Sequence, residues 1–330
     1  MKKIILCLLC ITYLASCKKE YSEQFVTYTN NPLNDTSWRP TVIAHSDAAT
    51  QLIPILASAP MLDSFDVVTG GTINFPDNLQ LTFPPHACTA SNGAVLTNKV
   101  KIEVTYLRKK GDFIRFAKPT TSYNNLLQTG GSFNVRITQN GNPVVLGPGI
   151  SYKIKYRNTT PSNDMKFFYE DKWIANNDTT ATWVLDNQLV LGNVTVWQQY
   201  DSITQTTIKG YEITSFKLNW INCDFFNDTT QPYTRLNVTL PLNFTNINTS
   251  VYVVFKNKNI VAGLNSDMPS KTFYFPKVPI ASEVTLVTVS KIGSEYYLGH
   301  KDITVTNANL ISVNPELKSL ADVNTYLNSL

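Results

Sequence analysis

The chain has 330 residues, of which 43% are hydrophobic and 16% charged, and its formal net charge is +4. That length suffices for two or three domains that bury their own cores without disulfide staples. The lysine and arginine residues are scattered and form no basic stripe, so the composition argues against nucleic acid as a partner.

The first residues have the pattern of a secretory signal. Lys2 and Lys3 precede an apolar stretch at residues 4–14, which is too short to cross a bilayer, since that takes about 20 residues. Leu-Ala-Ser-Cys at residues 14–17 resembles the lipobox of bacterial lipoproteins, in which the cysteine thiol takes a diacylglyceryl group. We therefore expect residues 1–16 to be removed and Cys17 to anchor the protein to an outer membrane, on its periplasmic or cell-surface face.

Two cysteines, Cys88 and Cys223, lie beyond the anchor. In an oxidising compartment they could form one long-range disulfide, or they could stay separate and buried, as free cysteines usually are. We favour separate thiols, because nothing in the sequence brings the two together.

Residues 17–62 are interpreted as the lipidated cysteine and a tether. Residues 18–40 are polar and have no regular period, which is typical of a linker. Residues 46–59 predict a short helix or an irregular lead-in, and Pro54 weakens the helix.

From residue 63 the hydrophobic pattern becomes that of β-strands. Residues 99–106 alternate polar and apolar side chains with a period of two. Asn-Gly at 140–141 and Asp-Asn at 186–187 predict tight hairpins between neighbouring strands. The continuous apolar run at 251–255 predicts a central strand.

Only the end of the chain has a helical pattern. Asn314 can cap a helix, Pro315 suits its first position, and leucine and valine then recur at spacings of three and four. We predict an all-β fold of two or three consecutive antiparallel β-sandwich domains, followed by a short C-terminal helix at residues 314–330 that packs on the last sandwich.

The first sandwich resembles a known module. Gly-Gly-Thr-Ile at 70–73, Leu-Gln-Leu-Thr-Phe-Pro-Pro-His-Ala at 79–87 and the strand at 100–106 follow the order found in the ZU-type β-sandwich of ankyrins and netrin receptors. In that pattern Gly-Gly permits a turn with positive φ, and Pro-Pro ends a strand because it removes donors. The resemblance covers about residues 63–157 and implies protein contacts without catalysis.

The remaining domains are predicted from the strand pattern. We expect a second β region at 158–230 and an immunoglobulin-like β-sandwich at 231–313. The sequences LLQTGGSF at 126–133 and WINCDF at 220–225 resemble a group of outer-membrane lipoproteins from Bacteroidota. That resemblance implies lineage and location, and no particular activity.

One stretch is a candidate ligand site. Trp220 could stack on a ligand while Asn222 and Asp224 form hydrogen bonds with it. The alternative is structural, a large aromatic residue packed at a strand end, and we favour this alternative. The adjacent acids Glu170 and Asp171 also lie among aromatic residues, but neighbouring strand residues point to opposite faces and would not act together.

Three positions are candidate O-glycosylation sites. Thr179, Ser202 and Thr229 each follow an aspartate in a polar stretch between predicted strands. These stretches resemble the acceptor motif of exported Bacteroidota proteins, although Asp and Thr are also favoured turn residues.

Together these patterns predict a lipid-anchored envelope protein with a non-catalytic interaction or structural role. The alternative is a glycan-binding surface lipoprotein of a nutrient-uptake system, and a hydrolase is the less favoured third class. Coplanar exposed Trp and Tyr side chains in one shallow groove would favour glycan binding. The three histidines have no metal-ligand spacing, so we expect neither a metal nor a cofactor.

Overall fold

The computed structural model describes residues 31–40, 46–175, 178–202, 205–228, 230–307 and 310–330. Residues 35–330 form one compact unit, and the described residues before it, 31–34, contain a 3-10 turn at Pro32–Asn34. The fold is all-β with several antiparallel sheets and a short C-terminal helix, which confirms the predicted class. Among the described residues, no helix has the length and hydropathy needed to cross a membrane.

The first sandwich follows helix α1 (Ser46–Leu56) and contains helix α2 (Lys110–Arg115). Its strands are β1 Met61–Asp66, β2 Gly71–Phe75, β3 Leu79–Phe83, β4 Cys88–Ala90, β5 Lys99–Leu107, β6 Thr121–Ser122, β7 Asn125–Gln139, β8 Asn142–Leu146, β9 Tyr152–Arg157, β10 Lys166–Ala175, β11 Asp178–Leu185, β12 Gly192–Asp201, β13 Thr206–Ser215 and β14 Asn219–Phe226. Sheet A has the order β1-β5-β7-β14-β10-β11, with β4, β6 and β8 at its margins, and sheet B has the order β12-β13-β9-β3-β2.

The two sheets bury one core between them. Because side chains alternate along a strand, one face of β5 places Val100, Ile102 and Val104 against the opposite sheet, as predicted from the sequence. Tyr156 from sheet B lies at the centre, 5.0 Å from the ring of Phe133 and 5.6 Å from that of Tyr211. Cys88 and Cys223 are buried as free thiols, which agrees with the favoured prediction of separate cysteines.

The turn predictions have mixed outcomes. Asn140 and Gly141 both have positive φ and connect β7 to β8, so the Asn-Gly hairpin is confirmed. The hairpin predicted at Asp186 is wrong, because the chain there leaves sheet A and enters sheet B. The Asp186 carboxylate accepts hydrogen bonds from the backbone N–H groups of Leu191 and Gly192, at 2.6 and 3.1 Å, and so holds the crossover.

Residues 158–230 do not form a domain apart from residues 63–157. Strands β10, β11 and β14 complete sheet A, while β12 and β13 complete sheet B. The predicted boundary at residue 157 is the end of β9, which pairs with β13 in the middle of sheet B. The pattern of alternating residues shows where strands lie, but it does not show which strands are neighbours, so the separate second region is corrected to part of one sandwich.

The second sandwich comprises residues 233–318 and packs two further sheets together. Its strands are β15 Tyr233–Thr239, β16 Thr249–Phe255, β17 Val261–Gly263, β18 Asn265–Asp267, β19 Thr272–Pro279, β20 Glu283–Ile292, β21 Glu295–Thr304, β22 Leu310–Ser312 and β23 Glu316–Lys318. Sheet C has the order β18-β19-β15-β22 and sheet D the order β17-β16-β20-β21-β23. All seven residues of β16 are buried, as predicted for a central strand.

Three helices cover the outer face of sheet D. Tyr252 and Val254 of β16 point away from the sandwich core and pack with apolar residues of α1, α2 and the C-terminal helix α3 (Leu320–Ser329). Helix α3 therefore packs on the last sandwich as predicted, but it begins later than residue 314. Ser319 is its N-cap, because its hydroxyl accepts the N–H of Asp322 at 3.1 Å, and Pro315 precedes β23 instead.

Main-chain hydrogen bonds join the two sandwiches. Thr120 donates its N–H to the carbonyl of Val261 at 2.7 Å, and its hydroxyl accepts the N–H of Val261 at 2.9 Å. Thr129 donates its N–H to the carbonyl of Asn259 at 3.0 Å, and the side-chain amide of Asn259 donates to the carbonyl of Thr129. The ammonium of Lys110 donates to the carbonyl of Lys256 at 2.9 Å. These bonds use directional groups on both sides, so they fix the orientation of the sandwiches.

Candidate functional site

The three residues predicted as a ligand site lie on one face of β14. Trp220, Asn222 and Asp224 alternate with core residues, so all three point to the outer face of sheet A. Asn222 and Asp224 are fully buried and Trp220 is half-buried. The structure therefore brings the three predicted residues together, but it buries Asn222 and Asp224 completely.

The buried polar groups form hydrogen bonds with one another. Asn222 Oδ1 accepts from the hydroxyls of Ser132 and Thr129, at 2.7 and 3.2 Å, and its amide donates to Asp224 Oδ2 at 2.5 Å. Burial raises the pKa of the Asp224 carboxyl well above its ordinary value, and the bonds from Thr129 and Asn222 oppose that rise. Asp224 Oδ1 has no hydrogen-bond partner among the described residues.

Trp220 is part of an aromatic cluster. Its ring lies edge-on to Trp183 at 6.4 Å and to Phe116 at 6.0 Å, and the ammonium of Lys118 lies 5.1 Å from its centroid. The indole N–H of Trp183 donates to the carbonyl of Pro119 at 2.9 Å. These contacts support the structural interpretation of this stretch.

The neighbouring acids do not form a catalytic pair. Glu170 forms an ion pair with Lys118, while Asp171 is the next residue of the same extended strand and is exposed. Adjacent residues of a strand point to opposite faces, as expected from the sequence.

The remaining predicted positions are only partly described. Ser202 is exposed directly after β12, which is compatible with modification. Thr179 lies in β11, and its side chain is outside the described part of the structure. Cys17 and Thr229 also lie outside the described residues, so lipidation and glycosylation at these positions stay predictions.

The first sandwich also contains an open groove that the sequence did not predict. It encloses about 370 Å³ and lies between β8 and the segment that leads into β14. We call it the split-edge groove, and it is lined by Arg136, Ile137, Thr138, Pro143, Val144, Val145, Leu146, Phe216, Lys217, Leu218 and Asn219.

The groove forms because two strands share one edge of β7. Strand β14 pairs with this edge up to Val135, and β8 pairs with it from Thr138 onward. Strand β8 then leaves β7 to pair with β4, so the edge stays open at Arg136 and Ile137. Strand β5 occupies the opposite edge over the same residues. The opening is thus a gap inside sheet A.

The lining of the split-edge groove is apolar and cationic. Phe216 and Val145 each keep 42% of their surface exposed. Arg136 and Lys217 are the charged residues of the lining, which contains no carboxylate. Arg136 lies opposite Glu103 of β5 and interacts with that carboxylate electrostatically, while the ammonium of Lys217 lies 5.0 Å from the ring of Tyr169. Such a surface is complementary to an apolar group that carries negative charge.

The exposed phenylalanine is held in place by its backbone. Phe216 donates its N–H to the carbonyl of Leu191 at 2.9 Å. The carbonyl of Lys217 accepts from the hydroxyls of Ser215 and Tyr152, at 2.8 and 3.2 Å. Because neighbouring backbone groups are fixed, the exposure of Phe216 is a property of the fold, and little conformational freedom would be lost on binding.

Two comparisons with known proteins add nothing to this description. No family model matches the chain, and no curated protein matches it either.

Proposed function

We propose that this chain is a lipid-anchored protein of the bacterial outer membrane that acts by binding another envelope protein, without catalysis. The observation that carries the proposal is the split-edge groove, where a fixed and exposed Phe216 lies beside Arg136 and Lys217. Buried aromatic anchors next to arginine are typical of the energetic centres of protein interfaces. The partner would present an apolar segment flanked by carboxylates.

Glycan binding is less well supported by the same surface. Sugar sites use exposed aromatic faces, and the split-edge groove offers Phe216 as its one aromatic ring. Of the five tryptophans, the four with described side chains are buried or half-buried, namely Trp38, Trp183, Trp197 and Trp220. The criterion set out from the sequence, coplanar exposed rings in a shallow groove, is not met by these residues.

The groove can be tested by site-specific photo-crosslinking in the native host. With benzoylphenylalanine in place of Phe216, we expect one discrete protein adduct after irradiation. The matched control carries the probe in place of Tyr123, which is similarly exposed but lies outside the groove, and should give none. Charge reversal by Arg136→Glu and Lys217→Glu should remove the adduct, whereas Arg157→Glu, an exposed arginine elsewhere, should not.

Two outcomes would contradict protein binding at the groove. Equal adducts at positions 216 and 123 would indicate random collision. An adduct that survives both charge reversals would show that the cations do not select the partner. Retardation of the purified protein in polysaccharide-containing gels, lost in Phe216→Ala, would instead support the glycan-binding alternative.

The proposed anchor is tested separately. Replacing Cys17 with serine removes the thiol that a diacylglyceryl group requires, because an alcohol is too weak a nucleophile for that step. We expect uncleaved precursor or release from membranes, measured by membrane flotation and intact mass. Cys10→Ser, inside the predicted signal, is the control and should leave both unchanged. Retention of the Cys17→Ser variant in the outer membrane would refute the lipoprotein assignment, whatever the groove binds.

A further inference from the structure

Strand β12 gives sheet B a long edge with one charged residue and no proline. It is the longest of the end strands in the described sheets, and of its ten residues Asp201 alone is charged and none is proline. Edge strands commonly carry lysine, proline or a bulge that prevents pairing with another chain. Sheet A ends in β1, which has two aspartates, and in the eight-residue β11, which has one. Strand β2 at the other end of sheet B has five residues, and the end strands of sheets C and D have three. Strand β12 is thus the longest of these edges, with its one charge at the last residue.

The far end of β12 projects beyond the sandwich. Strand β9 pairs with β13 from Gly210 to Ser215, and the N–H of Asn158 adds one bond to the carbonyl of Lys209, so residues 199–201 and 206–208 pair with each other alone. On the face of β12 that points toward the core, Val196 and Tyr200 remain 37% and 64% exposed. The described residues of the first sandwich therefore leave these two side chains partly uncovered.

The hydrogen bonds show which backbone groups point out of this edge. Val194 donates its N–H to the side chain of Asn193 at 2.9 Å, so its N–H does not point toward β13. Backbone groups alternate along a strand. Val196, Gln198 and Tyr200 therefore also direct their N–H and C=O groups to the open edge.

We propose that two copies of this protein associate by antiparallel pairing of β12 with β12. Four residues direct their backbone groups to the open edge, namely Val194, Val196, Gln198 and Tyr200. The register in which all four form hydrogen bonds places Val196 opposite Gln198 of the second copy and Val194 opposite Tyr200. A twofold axis then passes beside Trp197, whose ring is already held by a bond from its indole N–H to the carbonyl of Tyr211 at 3.1 Å. Pairing extends sheet B across both molecules and covers Val196 and Tyr200.

The charges of the strand select a second copy and this direction. In the antiparallel register Asp201 lies opposite Asn193, so no like charges meet. Parallel pairing in register would place Asp201 opposite Asp201, which is unfavourable. A self-complementary edge on one twofold axis is the common geometry of homodimers.

The pairing is tested with the mature lipoprotein in detergent, by sedimentation. We expect the mass of two chains for the wild type and of one chain for Val196→Pro. Proline removes an N–H that β13 does not use, so the fold is retained, as circular dichroism will check. Val196→Lys is a second variant with the same expected loss, in case the proline variant does not fold. A monomeric wild type, or a dimer that survives both substitutions, would overturn the proposal.

Cysteine pairs test the register. In the proposed pairing Thr195 lies opposite Gln199, so a mixture of Thr195→Cys and Gln199→Cys chains should form a disulfide-linked dimer on oxidation, while either variant alone should not. Cys88 and Cys223 are buried and do not compete. A disulfide within the Thr195→Cys variant alone would indicate parallel pairing and contradict the proposed geometry.

Discussion

Replacing Gly111 with alanine is expected to destabilise the protein by about 3 kcal/mol, at the upper end of the usual cost of overpacking. Gly111 in α2 lies against the backbone of α3, where a Cβ would overlap the carbonyl oxygen of Leu327 and lie 2.6 Å from its carbonyl carbon. A backbone group cannot turn aside as a side chain can, so the two helices must separate. That separation opens the cluster that includes Phe113, Val323 and Leu327.

The sign of this effect is informative, because helix propensity alone predicts a gain of about 1 kcal/mol for Gly→Ala in a helix. Urea unfolding of the mature chain measures the difference. Asn328→Ala, on the exposed side of α3, is the matched control and should change the free energy of unfolding by about 0.5 kcal/mol or less. A Gly111→Ala variant as stable as the control would show that α2 and α3 are not in backbone contact.

Asp224→Asn is expected to stabilise the protein at pH 8, because each unit by which burial raises the folded-state pKa of Asp224 costs the wild type about 1.4 kcal/mol once the unfolded chain has released that proton. Asparagine has nearly the shape of the protonated acid and carries no charge. Because burial raises the folded-state pKa of Asp224, the folded protein binds a proton that the unfolded chain releases at about pH 3.9. The contribution of that proton to the free energy of unfolding is fully present below about pH 3.9. It declines as pH rises toward the folded-state pKa of Asp224.

Urea unfolding between pH 4 and pH 8 tests this sign. The difference between Asp224→Asn and wild type should be small at pH 4 and grow with pH. Asp302→Asn is a control of opposite sign, because hydrogen bonds from Lys256 and Thr285 lower the pKa of the Asp302 carboxyl. Its wild-type contribution is present above about pH 4 and is lost only below that pH, so the difference between Asp302→Asn and wild type should stay nearly constant over most of this range. If the difference in free energy of unfolding between Asp224→Asn and wild type did not change with pH, burial would not raise the pKa of this carboxyl.

The class of the fold could be predicted because local rules decide it. The alternation at residues 99–106 and the Asn-Gly turn at 140–141 depend only on neighbours in sequence, and both are present in the structure. Strand partners could not be predicted in the same way. The turn at Asp186 has the composition of a hairpin, yet it crosses between sheets. After the crossing Gly192 packs on Phe167, where a Cβ would lie 2.5 Å from the ring.

The candidate site could be predicted only in part. The alternation of Trp220, Asn222 and Asp224 places them on one face, but their burial depends on Thr129 and the loop at Pro119, which are distant in sequence. No pattern in the sequence predicts the split-edge groove. It depends on β8 and β14 pairing with one edge of β7 at adjacent positions, and neither strand has an unusual composition.

The helix layer on sheet D has a consequence for the order of folding. Helix α1 lies early in the chain, yet its partners come late, as the bond from the side chain of Gln51 to the carbonyl of Ile247 illustrates with a separation of 196 residues. Closing so long a loop is slow. If the chain is exported from its N-terminus, as proposed, α1 cannot be fixed until the second sandwich has crossed the membrane, so α1 is among the last elements to become ordered.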